Sequence, residues 1–489
     1  MAIKTKLCLT IFLFFLLALL CSNLVTARED EDPKVTTCKD HCEVEHQYDE
    51  EDKRICKEEC EDYIKKKQER QTHKEREEKE QEKEQEQEED ENPYVFENND
   101  FETKIDTEDG RVLILNKFHE KSKLLKNIEN YGLAVLEIKA NAFLSPHHYD
   151  SEAILFNIKG KGIIGLVAED RTERFNLVEG DIIRVQAGTP MYLVNRDENE
   201  ELLIAAFHMP PSSDSAPVNL EPFFGPPGRN PDSVLTAFSS KVLQAAFKSS
   251  RGELETVLDE QKKERIFKIA KEDVRELAHQ RKISLWPFGV LFKGPFNILS
   301  NKPTFSNQFG SLYEVGPLQE KTGLEGLNLM LSFANINKGS MSTIHYNTNA
   351  NKIALVVGGE GDLEMACPHT PSSSSNSKQK RSSISYHNIN AKLRPGTVFV
   401  VPAGHPFVNI ASKENNLSIV CFEVNAQRNK KLAYAGKNNI VSALDKTAKE
   451  VAFDLAAEKV DEIFERKEEF FFPYDDNEER KEERGRAFV

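Results

Sequence analysis

Two histidines occupy positions where a protein could hold a metal ion. In "VVPAGHP", Val400–Pro406, an apolar run ends in a turn at Gly404, and His405 follows at once. A glycine turn next to an imidazole can direct that ring into the interior of a barrel. A second imidazole, His345, lies in "STIHYN". Imidazoles bind divalent transition metals, so the two residues indicate either a metal site or a pair of packed core histidines.

Both histidine segments belong to an internal duplication. "SPHHYDSEAILFNIKGKG" resembles "STIHYNTNANKIALVVGGEG", and "GDIIRVQAGTPMYLVN" resembles "GTVFVVPAGHPFVNIA". The alignment places His148 opposite His345, and a Ser-rich insertion, Cys367–Ser383, lengthens the second copy. A repeat of this length predicts two copies of one structural unit.

Each copy combines short strands with a helical segment. β-branched runs broken by Gly and Asn predict many short strands, which is typical of a barrel or jelly roll. Helical periodicity follows each core and predicts an apolar stripe that packs within the subunit or against a neighbour. The first stripe consists of Val234, Leu235, Phe238, Val242, Ala245 and Ala246, and the second of Ile440, Val441, Leu444, Val451 and Leu455.

The bulk composition limits the classes of protein to consider. The chain has 489 residues and a net charge of −16, which predicts two to four domains and disfavours nucleic acid or anionic membranes as partners. Residues 1–27 read as a secretory signal peptide with cleavage after Ala27; the alternative is a signal anchor. No second stretch is apolar for long enough to span a bilayer, so the mature form should be soluble.

Four cysteines cluster in the segment that follows, residues 28–64. Cys38, Cys42, Cys56 and Cys60 form two C-x3-C pairs, whose spacing puts both sulfurs of a pair on one helical face. A helical hairpin would join Cys38 to Cys60 and Cys42 to Cys56, although three connectivities are possible and zinc binding is the rival interpretation. Residues 65–91 contain no aliphatic or aromatic side chain and predict a charged, solvated linker.

The globular part resembles a known family. The duplicated G-x5-P-x-G pattern, the opening "PYVF…DGRVLILNKF" and the segment "ERIFKIAKEDVREL" resemble the vicilins, the 7S seed storage globulins of the bicupin superfamily. The resemblance covers Asn92–Tyr474 and implies a mainly β fold: two tandem cupin (jelly-roll β-barrel) domains, each followed by an α-helical arm. We expect the N-terminal cupin and its arm over 92–281, the C-terminal cupin and its arm over 282–474, and a charged tail over 475–489.

The resemblance also implies which residues to inspect for metal binding in the first barrel. Metal-dependent cupins bring about three histidines and one carboxylate together inside the barrel. His147 and His148 are adjacent, so only one of them can face inward. Glu152 lies in the region of the carboxylate, but Met191 stands where the second strand would supply a histidine. This set is incomplete.

The second barrel departs from the metal-binding pattern at other positions. Asn347 replaces a second histidine, Lys352 lies near the carboxylate position, and Phe407 occupies the place of the last histidine. His405 lies two residues before Phe407 and therefore shares its strand face.

Some vicilins bind copper in this barrel through a cysteine two residues before the first histidine, where this chain has Thr343. His345 and His405, with Tyr94 as a helper, remain candidate ligands for copper or another divalent metal.

The resemblance implies a nutrient reservoir rather than an enzyme, with no catalytic residue and no required cofactor. It further implies a homotrimer, a secretory route to the seed protein storage vacuole, and room for a small-molecule or metal ligand. The sequon at Asn416 predicts N-glycosylation. Alternatives are a metal-dependent cupin oxidase or dioxygenase, the precursor of an antimicrobial hairpin peptide, and a carbohydrate-binding cupin.

Overall fold

The computed structural model describes most of the chain from Asn92 onward. The described residues are 92–115, 118–169, 171–211, 218, 220–225, 232–258, 263–279, 292–368, 386–436, 438–466 and 469–474. The predicted cleavage after Ala27, the four leader cysteines, the linker and the tail lie outside these ranges. Most of the Ser-rich insertion lies outside them too.

The first copy of the repeat is built almost entirely from short strands. They are β1 (Val95–Phe96), β2 (Glu102–Thr107), β3 (Gly110–Leu115), β4 (Gly132–Ile138), β5 (Ala142–His148), β6 (Glu152–Lys159), β7 (Gly162–Val167), β8 (Thr172–Leu177), β9 (Asp181–Val185), β10 (Met191–Asn195), β11 (Leu202–Met209), β12 (Phe223–Phe224) and β13 (Ile266–Lys268). The helices are α1 (Phe118–Lys121), α2 (Ser240–Phe247), α3 (Arg251–Leu258) and α4 (Lys271–Ala278), with 3-10 turns at Asn98–Asp100, Lys123–Ile128 and Val234–Ala237.

The second copy repeats this plan. Its strands are β14 (Phe296–Asn297), β15 (Phe305–Asn307), β16 (Gly310–Val315), β17 (Leu329–Ile336), β18 (Ser340–Ser342), β19 (His345–Asn347), β20 (Asn351–Gly359), β21 (Gly361–Cys367), β22 (His387–Leu393), β23 (Val398–Val401), β24 (Phe407–Ala411), β25 (Leu417–Val424), β26 (Lys431–Ala433) and β27 (Phe471–Pro473). A 3-10 turn at Ile298–Ser300 and the helices α5 (Lys446–Phe453) and α6 (Ala457–Phe464) complete it.

Two antiparallel sheets form each barrel, as the alternating strands predict. The first barrel has the orders β14-β9-β6-β11-β4-β3-β2 and β12-β5-β10-β7-β8, with β13 also paired to β5. The second has β1-β23-β20-β25-β17-β16-β15 and β22-β21-β24-β18-β27, with β19 paired to β24 and β26. Corresponding strands occupy corresponding places, so the prediction of two tandem β-barrels with helical arms is confirmed.

The barrels exchange their opening strands. β1 pairs with β23 of the second barrel through Val95 and Phe399, whereas β14 pairs with β9 of the first through Phe296 and Ile182. Each barrel is therefore completed by a strand from the other half of the chain. This exchange is consistent with the compact unit that begins at Asn92.

Successive side chains of β11 and β25 alternate between the interface of the two barrels and the interior of one barrel. Phe207 and Phe422, at matching positions of these strands, stack between the barrels with ring centres 4.7 Å apart. Their neighbours His208 and Glu423 are buried, and they point to the opposite face of each strand, into the barrel, because successive side chains alternate.

The helical stripes are shorter than the periodicity predicts. Ser239 caps α2 and Asp445 caps α5, so each predicted stripe is divided between a turn and a helix. The apolar faces are exposed in the single chain, with Val242 at 51% and Val451 at 80%. Packing within the subunit therefore does not cover them. Among the described helices, none is both long and apolar enough to cross a membrane.

Candidate functional site: the barrel interiors

Strand register shows which residues of the two barrels are equivalent. His147 of β5 is paired with Met191 of β10, and His345 of β19 is paired with Phe407 of β24. His147 is thus the counterpart of His345, and the alignment that placed His148 opposite His345 is wrong by one residue. A register shift along the β5–β10 pair explains the error, because a bulge is not visible as a gap in the sequence.

The two equivalent histidines share one hydrogen-bond pattern. Nδ1–H of His147 donates to the carbonyl oxygen of Ser145, and Nδ1–H of His345 donates to that of Thr343, both over 2.8 Å. Burial lowers the pKa of His147 to about 4 and that of His345 to about 3. Both imidazoles are therefore neutral at physiological pH.

The interior of the first barrel is filled by rings that pack edge-on or tilted against one another. The His147 ring lies 5.4 Å from Tyr149 and 5.3 Å from Phe224, and the Tyr149 ring lies 4.6 Å from His208. His208 Nδ1 is 2.9 Å from Ser151 Oγ. Burial, together with the nearby His147, lowers the pKa of His208 to about 3.

Sequence reasoning did not single out His208. The signal that could have found it is the match between "LLIAAFHM" and "LSIVCFEV", which aligns His208 with Glu423.

The other two candidates of the first barrel point elsewhere. His148 is half-buried and stacks on Phe223 at 5.0 Å, so only one of the adjacent histidines faces inward, as predicted. Glu152 forms an ion pair with Arg184 instead of facing His147. On the neighbouring strand β6, the residue paired with His208 is Ala153, whose side chain has no atom that could bind a metal.

The interior of the second barrel is built around a buried ion pair. Lys352 Nζ lies 2.5 Å from Oε1 of Glu423, which is fully buried. Ser332 Oγ donates to the same oxygen over 2.9 Å, and Asn347 Nδ2 donates to Oε2 over 3.2 Å. Burial disfavours both charges. The charges of Lys352 and Lys431 outweigh burial and lower the pKa of Glu423 to about 2, so the carboxylate is ionised.

Lys352 stays charged as well. Burial acts to lower its pKa, but Cys421 and Glu423 outweigh that effect and raise it above its usual value. Its Nζ lies 5.9 Å from the centre of the Phe407 ring, which in turn is 4.4 Å from the His345 ring. An ammonium and a phenyl ring thus occupy two positions where a metal would need ligands, and they do not fit a divalent cation.

The remaining candidate metal ligands, Tyr94 and His405, lie next to the exchanged strand β1. His405 Nδ1–H donates to the carbonyl oxygen of Ala403 over 3.2 Å, and its ring centre is 6.3 Å from that of Tyr94. The Tyr94 hydroxyl lies 3.2 Å from Sγ of Cys367. Burial, and to a smaller extent the contact with this thiol, raises the pKa of Tyr94.

Nowhere in the described ranges do three or more His, Cys, Asp and Glu side chains form a group suited to a metal. The structure therefore does not support the copper expectation.

Five interior positions of the first barrel have an equivalent in the second barrel. The pairs are His147 and His345, Tyr149 and Asn347, Ala153 and Lys352, Met191 and Phe407, and His208 and Glu423. The first set holds two imidazoles and no carboxylate, and in the second set Lys352 neutralises Glu423. Neither set therefore matches the three histidines and one carboxylate of a metal-dependent cupin.

Comparison with known proteins places this geometry in a family. The chain matches the family described as Cupin over residues 104–254 and 296–461. It is 53% identical to a sucrose-binding protein of Glycine max, over 99% of both chains, and 46% identical to a vicilin of Corylus avellana, over 94% of this chain and 99% of that protein.

Solved structures agree with these sequence matches. The crystal structure of hazelnut vicilin is 48% identical, with a TM-score of 0.71, and covers 78% of this chain and all of that one. An oxalate decarboxylase of Bacillus subtilis shares the fold at 14% identity, with a TM-score of 0.57 over 78% of this chain and 88% of that one. Two barrels with exchanged opening strands, degenerate interior positions and this extent of identity establish that the chain belongs to the vicilins of the cupin family.

Proposed function

We propose that the chain is a vicilin-type seed storage protein, a nutrient reservoir with no catalytic site. The observation that carries the proposal is the interior of the second barrel, where Lys352 and Phe407 occupy positions at which a cupin metal would need ligands. Storage requires a stable, densely packed chain rich in nitrogen, and the buried interiors supply that packing. The identity to vicilins over nearly the whole chain supports the same function.

The abundance of the chain through the life of the seed tests this proposal. Quantitative mass spectrometry of seed extracts should show accumulation late in seed development and loss during germination. A constant low abundance, with the highest level in vegetative tissue, would contradict a reservoir.

Sucrose binding is a second candidate, favoured by the name of the relative in Glycine max. Packed side chains occupy the equivalent interior positions of both barrels, so a disaccharide would have to bind outside them. We expect calorimetric titration with sucrose to give no saturable heat. Saturable binding with one site per protomer would instead favour a transport or sensing role.

We further propose a homotrimer in which the helical arms of one subunit cover those of the next. The exposed apolar side chains lie on both arms: Phe238, Val242, Phe247 and Val257 on the first, and Leu444, Val451, Leu455 and Ile463 on the second. Exposed apolar surface of this kind marks an interface. Two different arms that meet head to tail would close a ring.

Charged substitutions on both arms should therefore dissociate the assembly. We expect Val242→Asp together with Val451→Asp to shift the native mass from three protomers toward one, because each carboxylate would be buried without a partner. Native mass spectrometry measures the shift. Leu318→Asp is the matched control, since Leu318 is an apolar residue 92% exposed outside the arms. A trimer that persists in the arm variant would contradict this interface.

Asn416 is proposed as a glycosylation site. It is exposed, and its Oδ1 accepts a hydrogen bond from the backbone N–H of Lys338 over 2.9 Å, which leaves Nδ2 available. Asn416→Gln should remove the mass of one N-glycan from protein made in plant cells, whereas the neighbouring change Asn415→Gln should not. An unmodified asparagine in peptides from the secreted protein would refute the assignment.

The route to the vacuole completes the proposal. A signal peptide cleaved after Ala27 and a leader with Cys38 joined to Cys60 and Cys42 to Cys56 would fit an oxidising secretory path. Intact-mass analysis before and after reduction reports both features.

A further inference from the structure

An open groove of about 610 Å³ lies where α4 packs on the first barrel. The side chains that line it are mainly apolar: Phe143 of β5, Phe267 of β13, Ile269, and Leu277 of α4. The Phe143 and Phe267 rings lie 5.5 Å apart and are both partly exposed. The volume is in the range of protein ligand pockets. The first barrel therefore presents an apolar surface large enough to receive side chains from outside the described ranges.

The rim of this groove is charged. Asp273 and Glu276 of α4 line it and are exposed. Arg174 of β8 lines it as well, and its Nη1 donates to the backbone carbonyl oxygens of Glu276 and Leu277, both over 3.2 Å. Arg174 thus holds the C-terminal end of α4 against the barrel, and the two carboxylates of α4 favour a cationic group at the rim.

The described chain stops in the groove and resumes beside it. His279 lines the groove and is followed by 280–291, which lies outside the described ranges. The backbone N–H of Phe292 then donates to Oε2 of Glu173 over 3.2 Å. Glu173 directly precedes Arg174, so both ends of the segment lie near one place on β8. Twelve residues can extend about 40 Å, far more than this connection needs, so the segment has length to spare for the groove.

The composition of 280–291 matches both parts of the groove. The sequence "QRKISLWPFGVL" places two cations directly after α4 and six apolar side chains behind them. The cations match the acidic rim, and the apolar run matches the apolar floor. Burying large aromatic side chains such as Trp286 and Phe288 supplies much of the free energy of such a contact.

We propose that the segment 280–291 docks into the groove of its own chain, with the Trp286 indole against Phe267 and the two cations at the rim. A short tether gives the segment a high effective concentration at the groove, which favours it over a separate partner of the same chemistry. The apolar side chains assigned above to the subunit contact lie elsewhere on the arms, so the trimer does not require this groove.

Docking gives the connection between the two copies of the repeat a fixed course. The segment joins α4, in the first arm, to β14, the exchanged strand that pairs with β9. A protease acts on the undocked population of such a segment. Docking therefore protects the connection between the two halves of the chain from endoproteolysis.

The fluorescence of Trp286 tests the proposal, because it is the only tryptophan of the chain. In the full-length wild type we expect emission to the blue of the urea-unfolded protein and weak quenching by acrylamide. Phe267→Ala should move the emission to the red. It should also raise the rate of tryptic cleavage after Arg281 and Lys282 by about tenfold, because loss of one buried aromatic contact lowers the docked population.

The matched control is Phe305→Ala, which removes an exposed phenylalanine of another three-residue strand, stacked on Phe470 at 4.7 Å. It should change neither readout. If Phe267→Ala does not fold, Trp286→Ala tests the same contact from the segment and should speed tryptic cleavage to a similar extent. Acrylamide quenching of folded wild type as strong as in urea would overturn the proposal. Cleavage of Trp286→Ala at the wild-type rate would overturn it equally.

An engineered disulfide identifies which chain supplies the segment. Phe267→Cys combined with Trp286→Cys, oxidised in the folded full chain, should join the two positions within one chain, as peptide mapping and non-reducing electrophoresis report. A disulfide between two chains would overturn docking in the same chain and assign the groove to a neighbouring subunit.

Discussion

Acidification from pH 7 to pH 5 should lower the free energy of unfolding by about 6 kcal/mol, through three buried histidines. The pKa is about 4 for His147 and about 3 for His208 and His345 when folded, against an ordinary value near 6.5 when unfolded. A depressed folded pKa means that the stabilising contribution is complete above pH 6.5 and is lost as the pH falls toward the folded values. At pH 5 each histidine contributes about 2 kcal/mol of this loss.

Urea unfolding at pH 7 and pH 5, at one protomer concentration, measures the effect. His208→Gln should reduce the difference between the two pH values by about 2 kcal/mol, because one titrating group is removed. His387→Gln, at an exposed position, should leave the difference unchanged. Equal stability at both pH values would show that the three imidazoles are not held neutral in the fold.

Removing one member of the buried ion pair should be the most damaging single change in the second barrel. We expect Lys352→Met to lower the free energy of unfolding by about 3–5 kcal/mol, because the fully buried Glu423 carboxylate loses its direct ion-pair partner. The double change Lys352→Met with Glu423→Leu should recover most of that loss, since a well-packed apolar pair can replace a buried ion pair.

A double-mutant cycle by urea unfolding at pH 7 measures this coupling. The control is Lys392→Met, whose partner Asp362 is exposed like Lys392 itself, and its expected effect is within about 1 kcal/mol. If Lys352→Met behaves like the control, the pair does not hold the barrel together and the interior is more solvated than the geometry indicates.

Periodicity and duplication were sufficient to predict the architecture. Two barrels and two helical arms follow from alternating strands and amphipathic stripes, since both patterns are local in the chain. The exchange of β1 and β14 was not predictable, because a two-residue strand has no periodicity and its partner lies in the other half of the sequence. Each arm is divided because Ser239 and Asp445 cap the N-termini of α2 and α5, so a new helix begins within each predicted stripe.

The sequence identified several residues of the barrel interiors, but it did not predict which of them contact each other. Lys352 and Phe407 were recognised as departures from the cupin metal-binding pattern, which the family resemblance supplied. Glu423 and His208 were missed because each lies on a strand remote in sequence from the histidine motif and meets it only through the barrel. The bulge in β5 decided which of His147 and His148 faces inward, and a one-residue bulge changes the face of every later side chain.

We expect neither barrel interior to bind a metal ion, because Met191 in the first barrel and Lys352 and Phe407 in the second occupy positions where ligands would be needed. Equilibrium dialysis of the purified full chain against copper and manganese, followed by metal analysis, measures this. We predict well under one ion of either metal per protomer, and the same amount in His345→Ala as in the wild type. One tightly held ion per protomer that is lost in His345→Ala would contradict the account and restore an enzymatic reading of the second barrel.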